Sequence, residues 1–277
     1  MFVQKSRAWR GILAAAALVA TPLLATGQAE ARSLEEAKAA GTIVVGIQGD
    51  NSPWGFVNSS GVQDGFDADM ATAFAKSQGV EVQFVPLAVA NRIPALQTGK
   101  VDVLFATMAM TEERAKSIQY SIPYASNQLS VLAAKTTEIT SPEQLAGLSI
   151  GVPRSSTQDN ALTAIAPSDA NILRFDDDAA TIQALLSGQV QAVGANQFYL
   201  QRLDTAAPGV YENKLPLVAL YNGVGTRQGE KDWNEALNTF LASFIQTPEY
   251  AAIYQKWMHL DPPSYPASIP NIPFTVN

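Results

Sequence analysis

The 277-residue sequence contains no cysteine and a single histidine, His259. Without cysteine the chain cannot form a disulfide, a thiolate zinc site or a cysteine nucleophile, and it has no cysteine to carry a lipid anchor. One histidine leaves almost no room for a histidine-based metal site or a Ser-His-Asp triad. We therefore expect no metal and no cofactor.

Basic residues are also few, because 18 Lys and Arg stand against 25 Asp and Glu, for a net charge of -7. An acidic chain lacks the positive surface that holds a phosphate backbone, which argues against nucleic acid as a partner. Hydrophobic residues make up 47% of the sequence. That fraction supports one large domain or two of ordinary size and excludes a disordered chain.

One apolar run stands out, at residues 11–25 near the N-terminus. Three basic residues precede it, and Ala29-Glu30-Ala31 offers a small-x-small cleavage site after it. The run is shorter than the roughly 20 residues that span a bilayer, and a proline interrupts it. We interpret residues 1–31 as a cleaved secretory signal peptide, with a permanent membrane anchor as the alternative. Its removal would leave an exported protein with a net charge of -9.

Short apolar, β-branched segments alternate with helical patterns along the rest of the chain, which predicts βαβ units and mostly parallel sheets. The predicted strands cover residues 42–48, 80–87, 101–108, 129–134, 148–153, 171–175 and 190–196. Two helices are predicted between Asp232 and Met258, separated at Pro248. Residues 260–277 hold five of the sixteen prolines and are predicted to form an extended strap.

The strand and helix pattern restarts near residue 126, and about 245 residues are many for one doubly wound sheet. We therefore predict two α/β lobes. Ligands of open α/β sheets bind beyond the carboxyl ends of the strands, and between two lobes they favour the interface.

Three arginines, Arg92, Arg114 and Arg154, each lie at the start of a predicted helix, after a strand or its loop. A cation at this positive end of a helix costs about 0.3 to 1 kcal/mol unless an anion offsets it. Three such positions among the seven arginines that follow residue 31 indicate the capture of an anion. Pairing of each arginine with a neighbouring acidic residue is the alternative.

Five segments in one order over almost the whole chain carry a resemblance: GFDADMATAFAK (65–76), the run IPALQTGK to SIPYA (93–125), GVPRSSTQD (151–159), LLSGQVQAVGAN (185–196) and YAAIYQKW (250–257). Together they resemble the polar amino-acid branch of the periplasmic solute-binding proteins of ABC importers, family 3. Ala68 departs locally from the family signature, which usually has a larger aliphatic residue there.

The resemblance implies an α/β, two-lobed periplasmic-binding-protein type II fold with a hinge of two crossing strands. Lobe 1 would comprise residues 32–125 and 219–277, and lobe 2 residues 126–218. A ligand would bind between the lobes and favour the closed state, because only that state contacts it from both sides. The implied partners are the permease subunits of an ABC importer and the implied location is the periplasm; we expect a monomer.

The resemblance also implies roles for single residues. Arg114 matches the arginine that holds the ligand's carboxylate, a role that suits a planar guanidinium. Thr107 matches a hydroxyl position in the preceding loop, and Thr157 a threonine at a helix N-terminus that helps hold the same carboxylate. Arg92 matches an arginine that reaches the distal carboxylate in relatives selective for acidic amino acids. Arg154 is a further candidate for a second acidic or polar end of the ligand.

Three more positions match the first-lobe part of the family site. Trp54 matches the aromatic residue of a first-lobe loop, with packing of that loop onto the core as the alternative. Gln48 and Asn51 fall where relatives place residues that select the ligand's side chain.

Two departures bear on the ligand. Asn196 stands where the family usually has an aspartate that pairs with the α-ammonium, and Ala109 where relatives often have Ser or Thr. A neutral amide gives up the charge-assisted part of that interaction. We infer a carboxylate whose amine is substituted, neutral or absent, with a plain acidic amino acid as the alternative. The acidic run 176–178 could supply the missing charge, although a cap of the following helix is the favoured interpretation.

The favoured function is a non-enzymatic binding protein that captures a small carboxylate-bearing amino acid or derivative. The alternative is a cyclohexadienyl-dehydratase-like enzyme on the same scaffold. Such chemistry needs a general acid of tuned pKa in the cleft, and Asn196 removes the carboxylate most expected there.

Overall fold

The computed structural model describes residues 1–2 and 31–276, and nearly all of the predicted signal peptide lies outside these residues. The helices are α1 (Leu34–Ala39), α2 (Phe66–Ser77), α3 (Arg92–Gln97), α4 (Glu112–Ala115), α5 (Thr157–Ile165), α6 (Asp178–Leu186), α7 (Tyr199–Ala206), α8 (Lys231–Phe244) and α9 (Pro248–Met258). The strands are β1 (Thr42–Ile47), β2 (Asp50–Asn51), β3 (Gly55–Val57), β4 (Gln63–Asp64), β5 (Glu81–Pro86), β6 (Val103–Leu104), β7 (Gln119–Ala134), β8 (Ser149–Pro153), β9 (Asn171–Phe175), β10 (Ala192–Asn196) and β11 (Tyr211–Thr226). None of the described helices is long and apolar enough to cross a membrane.

An eight-stranded sheet in the order β5-β1-β6-β11-β7-β10-β8-β9 organises the fold. On one side β1 pairs in parallel with β5 and β6, and on the other β8 pairs in parallel with β9 and β10. The 16-residue strands β7 and β11 pair antiparallel between these two halves and belong to both. This confirms the predicted two-lobed α/β fold joined by two long strands. The lobe boundaries at residues 125 and 218 stay a prediction.

Five of the predicted strands are confirmed within two residues, as β1, β5, β8, β9 and β10. The local strand pattern missed β11 and placed the start of β7 ten residues late, although the two hinge strands that the family resemblance implies are present. β11 lacks an apolar alternation because it is half-exposed along much of its length. It also contains Pro216, which lies where the register with β7 shifts, as prolines within sheets do. Of the strand predicted at 101–108, only Val103–Leu104 pairs.

The two predicted C-terminal helices are confirmed as α8 and α9. Pro248 is the first residue of α9, where its missing N–H costs nothing, and the Thr247 side chain accepts a hydrogen bond from the Tyr250 N–H at 3.2 Å. Residues 260–276 contain no helix, as predicted for the strap. The strap is held to α8, because the Asn238 amide donates to the Phe274 carbonyl at 2.7 Å.

Candidate functional site

A small cavity lies between the two halves of the sheet, where strand ends and helix starts meet. Its walls come from the ends of β1 and β10, the loop after β6, the strand β7, and the first turns of α3, α5 and α6. The lining residues are Gln48, Asn51, Val89, Arg92, Thr107, Arg114, Asn127, Ser156, Thr157, Gln158, Asp178 and Asn196. No described cluster of His, Cys, Asp and Glu is arranged to hold a metal ion.

Seven of the ten residues predicted for the site line this cavity. They are Gln48, Asn51, Arg92, Thr107, Arg114, Thr157 and Asn196. The other three, Trp54, Ala109 and Arg154, lie outside it.

The Trp54 side chain is fully buried in the core rather than in the cavity. Its ring meets Phe66 edge-on at 5.8 Å and Phe198 edge-on at 5.7 Å between centroids. Its Nε1 finds no hydrogen-bond partner among residues 31–276. Trp54 therefore takes the packing position that was the alternative, and it packs against a ring from the other half of the sheet.

Arg154 and Ala109 border the site. The Arg154 side chain is 56% exposed and lies 3.7 Å from the Asp176 carboxylate, so it has a local acidic partner. Ala109 contributes its carbonyl, which accepts hydrogen bonds from Arg114 Nη1 at 3.2 Å and from the Tyr120 hydroxyl at 2.8 Å. Ala109 thus orients Arg114 through its backbone.

Arg114 bridges the two sides of the cleft. It lies in α4, which Thr111 caps by accepting from the Arg114 N–H at 3.3 Å. Its Nη1 is held by Ala109, and its Nη2 donates to the Ser155 carbonyl at 3.2 Å, in the loop before α5. The guanidinium is therefore fixed across the cavity from both sides.

Arg92 also lines the cavity and is buried, with 4% of its surface exposed. Its Nε donates to the Val89 carbonyl at 3.2 Å, and its Nη1 to the carbonyls of Ala106 and Thr107. Burial, with the charge of Arg114, lowers the pKa of Arg92 to about 9, so it stays cationic at neutral pH. No acidic group of residues 31–276 lies within 4 Å of it. A buried cation with carbonyl partners alone favours an anion beside it.

Thr107 and Thr157 lie on facing walls. Thr107 has a left-handed backbone (φ 50°), held because its N–H and hydroxyl both donate to the buried Asp67 carboxylate, at 2.7 and 3.2 Å. Asp67 also accepts from the Tyr124 hydroxyl at 2.6 Å, although burial still raises its pKa to about 6. Thr157 is the first residue of the nine-residue α5, whose cap is Ser156. The positive end of that helix therefore faces the cavity.

A chain of side-chain hydrogen bonds closes the other end of the cavity. Gln48 Nε2 donates to Asp178 Oδ2 at 2.9 Å, and Asn51 Nδ2 donates to Gln48 Oε1 at 3.2 Å. Asn196 Nδ2 in turn donates to Asn51 Oδ1 at 3.1 Å. Beside this chain, the Asp50 carboxylate accepts from the Ala179 N–H at 3.1 Å. These hydrogen bonds join residues 48–51 directly to residues 178–196 on the other side of the cleft, so the cleft is closed in this structure.

Sequence reasoning missed several lining residues, of which two matter most. The acidic run was interpreted as a cap, but only Asp177 caps α6, by accepting from the Ala180 N–H at 2.7 Å. Asp178, one residue later, is buried and faces the cavity. Asn127 lies on the hinge strand β7, and its buried Oδ1 has no hydrogen-bond partner within the described residues. Asn127 precedes the strand predicted at 129–134 and lies between Ser126 and Gln128, so no signal in the sequence distinguished it. Val89, Ser156 and Gln158 complete the wall.

Comparison with known proteins agrees with this architecture. The profile of the bacterial extracellular solute-binding proteins, family 3, matches residues 43–260. The ABC transporter glutamine-binding protein of Bacillus subtilis is 31% identical over 225 residues, which cover 79% of this chain and 82% of that protein.

Two solved structures resemble this fold over at least 80% of the chain. The solute receptor for L-cysteine of Neisseria gonorrhoeae has a TM-score of 0.77 and 28% identity, covering 82% of this chain and 94% of that one. A reconstructed ancestral amino acid-binding protein, described as a precursor of cyclohexadienyl dehydratase, has a TM-score of 0.74 and 30% identity, covering 80% of this chain and 98% of that one. The chain belongs to the bacterial extracellular solute-binding proteins, family 3.

Proposed function

We propose that this chain is the periplasmic solute-binding component of an ABC importer and that it captures a small amino acid, or a close derivative, by its carboxylate. The observation that carries the proposal is the convergence of Arg92, Arg114 and the start of α5 on one enclosed cavity. Guanidinium groups and helix N-termini are the groups that proteins use to bind carboxylates. The names of the relatives, a glutamine-binding protein and an L-cysteine receptor, support the same class of solute.

Closure of the cleft is the proposed binding event. Arg92, Thr107 and Arg114 contact the solute from the predicted lobe 1, and Thr157 from the predicted lobe 2. Because only the closed state offers both sets of contacts, the solute shifts the population towards it. The permease then recognises the closed surface. The chain acts as an exported monomer.

Binding without turnover is part of the proposal. A dehydratase would need a general acid in the cavity, and Asp178 is the described acid that could serve. The ancestral neighbour with a dehydratase descendant is itself described as an amino acid-binding protein. Purified protein should leave prephenate and arogenate unchanged in an absorbance assay; turnover of either would refute this part.

Arg114→Ala tests the carboxylate anchor, with Arg154→Ala as the matched control. Thermal unfolding is followed with each of the twenty proteinogenic amino acids. We expect Arg114→Ala to abolish the shift that the best amino acid gives with the wild type, because the fork that holds the carboxylate is lost. Arg154→Ala should keep it, since that side chain is exposed and outside the cavity. Affinity within threefold of the wild type in Arg114→Ala would overturn the proposal.

A further inference from the structure

Asp178 is a buried carboxylate on the wall of the cavity, with 1% of its surface exposed. Its Oδ2 accepts from Gln48 Nε2 at 2.9 Å, and its Oδ1 accepts from the Tyr199 hydroxyl at 2.6 Å. Both donors are neutral. Within residues 31–276, no cation lies within 4 Å of either oxygen.

A buried charge without an ion pair is costly, and burial accordingly raises the pKa of Asp178. Asp67 provides a comparison within the same protein. Its carboxylate receives three hydrogen bonds, from Thr107 and Tyr124, and it does not line the cavity. Asp178 receives two and faces open volume, so it keeps acceptor capacity that no described residue uses.

Asn196, by contrast, is committed to the protein. Its Oδ1 accepts from the Phe198 N–H at 2.9 Å, which fixes the orientation of the amide. Its Nδ2 donates to Asn51. The Asn196 oxygen is therefore already used by a backbone N–H, and the other end of the amide is a hydrogen-bond donor. A donor does not suit an ammonium group, which itself donates.

The charges around the cavity also favour a cationic group of the solute at Asp178. Arg92 and Arg114 contribute two positive charges and Asp178 one negative charge. On the other side of the cleft, burial and the charge of Asp178 raise the pKa of Asp50 to about 6, which marks these two carboxylates as mutually repulsive in the closed state. Arg202 already offsets part of that repulsion, and a cation bound at Asp178 would offset it further while Arg92 and Arg114 hold the carboxylate.

Resting on the proposed function, we infer that Asp178 accepts the protonated amine of the solute, so that the cavity selects amino acids with a free amine over N-acylated or deaminated acids. Asn127 Oδ1, an acceptor that also lines the cavity and has no partner among the described residues, is available for a second hydrogen bond from that amine. This revises the expectation drawn from Asn196. The acid is present, but at the start of α6 instead of the end of β10.

The test compares Asp178→Asn with the wild type by calorimetric titration against the twenty amino acids and the N-acetyl form of each. We expect the wild type to bind at least one free amino acid at least tenfold more tightly than its N-acetyl form. Asp178→Asn should lower the affinity for that amino acid at least tenfold and leave the affinity for its N-acetyl form within threefold of the wild type. The reason is that the amide keeps the shape of the side chain and loses its charge. A general destabilisation of the closed state would lower the affinity for the free amino acid and for its N-acetyl form by the same factor.

Asp177→Asn is the matched control, since it lies one residue away, outside the cavity, and Asn caps helices as well as Asp. It should bind as the wild type does. Wild-type protein that binds N-acetyl amino acids and no free amino acid would overturn the role of Asp178 while the proposed function stands. An equal loss of both forms in Asp178→Asn would also overturn it. Failure of the proposed function is distinct, since the wild type would then bind none of these carboxylates.

Discussion

The contact between Phe198 and Trp54 should control the closure of the cleft. Trp54 belongs to the predicted lobe 1 and Phe198 to the predicted lobe 2, and their rings meet edge-on at 5.7 Å. Phe198 is 7% exposed and packs with the aromatic core of the other half of the sheet. Opening of the cleft between the predicted lobes would separate the two rings and expose them to water. We therefore expect Phe198→Ala to destabilise the closed state specifically.

The size of the effect follows from burial. Burying a phenylalanine side chain is worth about 1.5 to 3 kcal/mol, and an edge-on aromatic pair adds about 0.5 to 1.5 kcal/mol. Phe198→Ala should then cost the closed state at least about 2 kcal/mol, which corresponds to about thirtyfold in affinity for a solute that binds only this state.

Calorimetric titration measures that loss, with the amino acid that gives the wild type its largest thermal shift. Small-angle scattering should show an expanded radius of gyration for Phe198→Ala without solute. Phe84→Ala is the control, because Phe84 lies on β5 in the predicted lobe 1 and packs, partly buried, against the same core cluster. It should lower the free energy of unfolding and leave the affinity unchanged. An affinity within threefold of the wild type in Phe198→Ala, with an unchanged radius, would refute the reasoning.

The pH dependence of stability should differ between the wild type and Asp50→Asn. Burial, with the charges of Asp178 and Asp177 opposed by Arg202, raises the pKa of Asp50 to about 6, so its stabilising contribution is complete below about pH 4 and is lost as the pH rises through 6. Between pH 7 and pH 4 the wild type should therefore gain up to about 3 kcal/mol of unfolding free energy relative to Asp50→Asn, and parallel denaturation curves would contradict this. Gly194→Ala should lower the free energy of unfolding by about 1 to 3 kcal/mol, because the added Cβ would lie 2.7 Å from an α5 side chain; an unchanged melting temperature would contradict it.

The sequence predicted the fold well where burial leaves a periodic pattern. β1, β8 and β10 read as apolar runs because they are largely buried inside the two halves of the sheet. The edge strands β5 and β9 were recognisable from their β-branched and aromatic residues. β11 could not be predicted, because a hinge strand is covered on few sides and its side chains alternate little in polarity. The family resemblance supplied the two crossing strands that the local pattern did not.

For the site, the sequence located the arginines that line the cavity better than the acidic residue that lines it. Arginines at helix starts are anomalous, so Arg92 and Arg114 were recognisable, while Arg154 at a similar position turns to solvent beside Asp176. The position of an arginine at a helix start does not show whether its side chain reaches the cavity. That choice depends on loop geometry.

The step from Asp177 to Asp178 shows why an acid at a helix start is hard to assign from sequence. Asp177 has an extended backbone, which lets its side chain cap the helix that follows. Asp178 has already entered α6, so its side chain turns away from the helix end and into the cavity. One residue therefore separates a stabilising cap from a buried charge. On the inferred role of Asp178, the replacement of an acid by Asn196 at the end of β10 moves the negative charge of the site to a neighbouring helix start, and a prediction of the solute from the β10 position alone misses that charge.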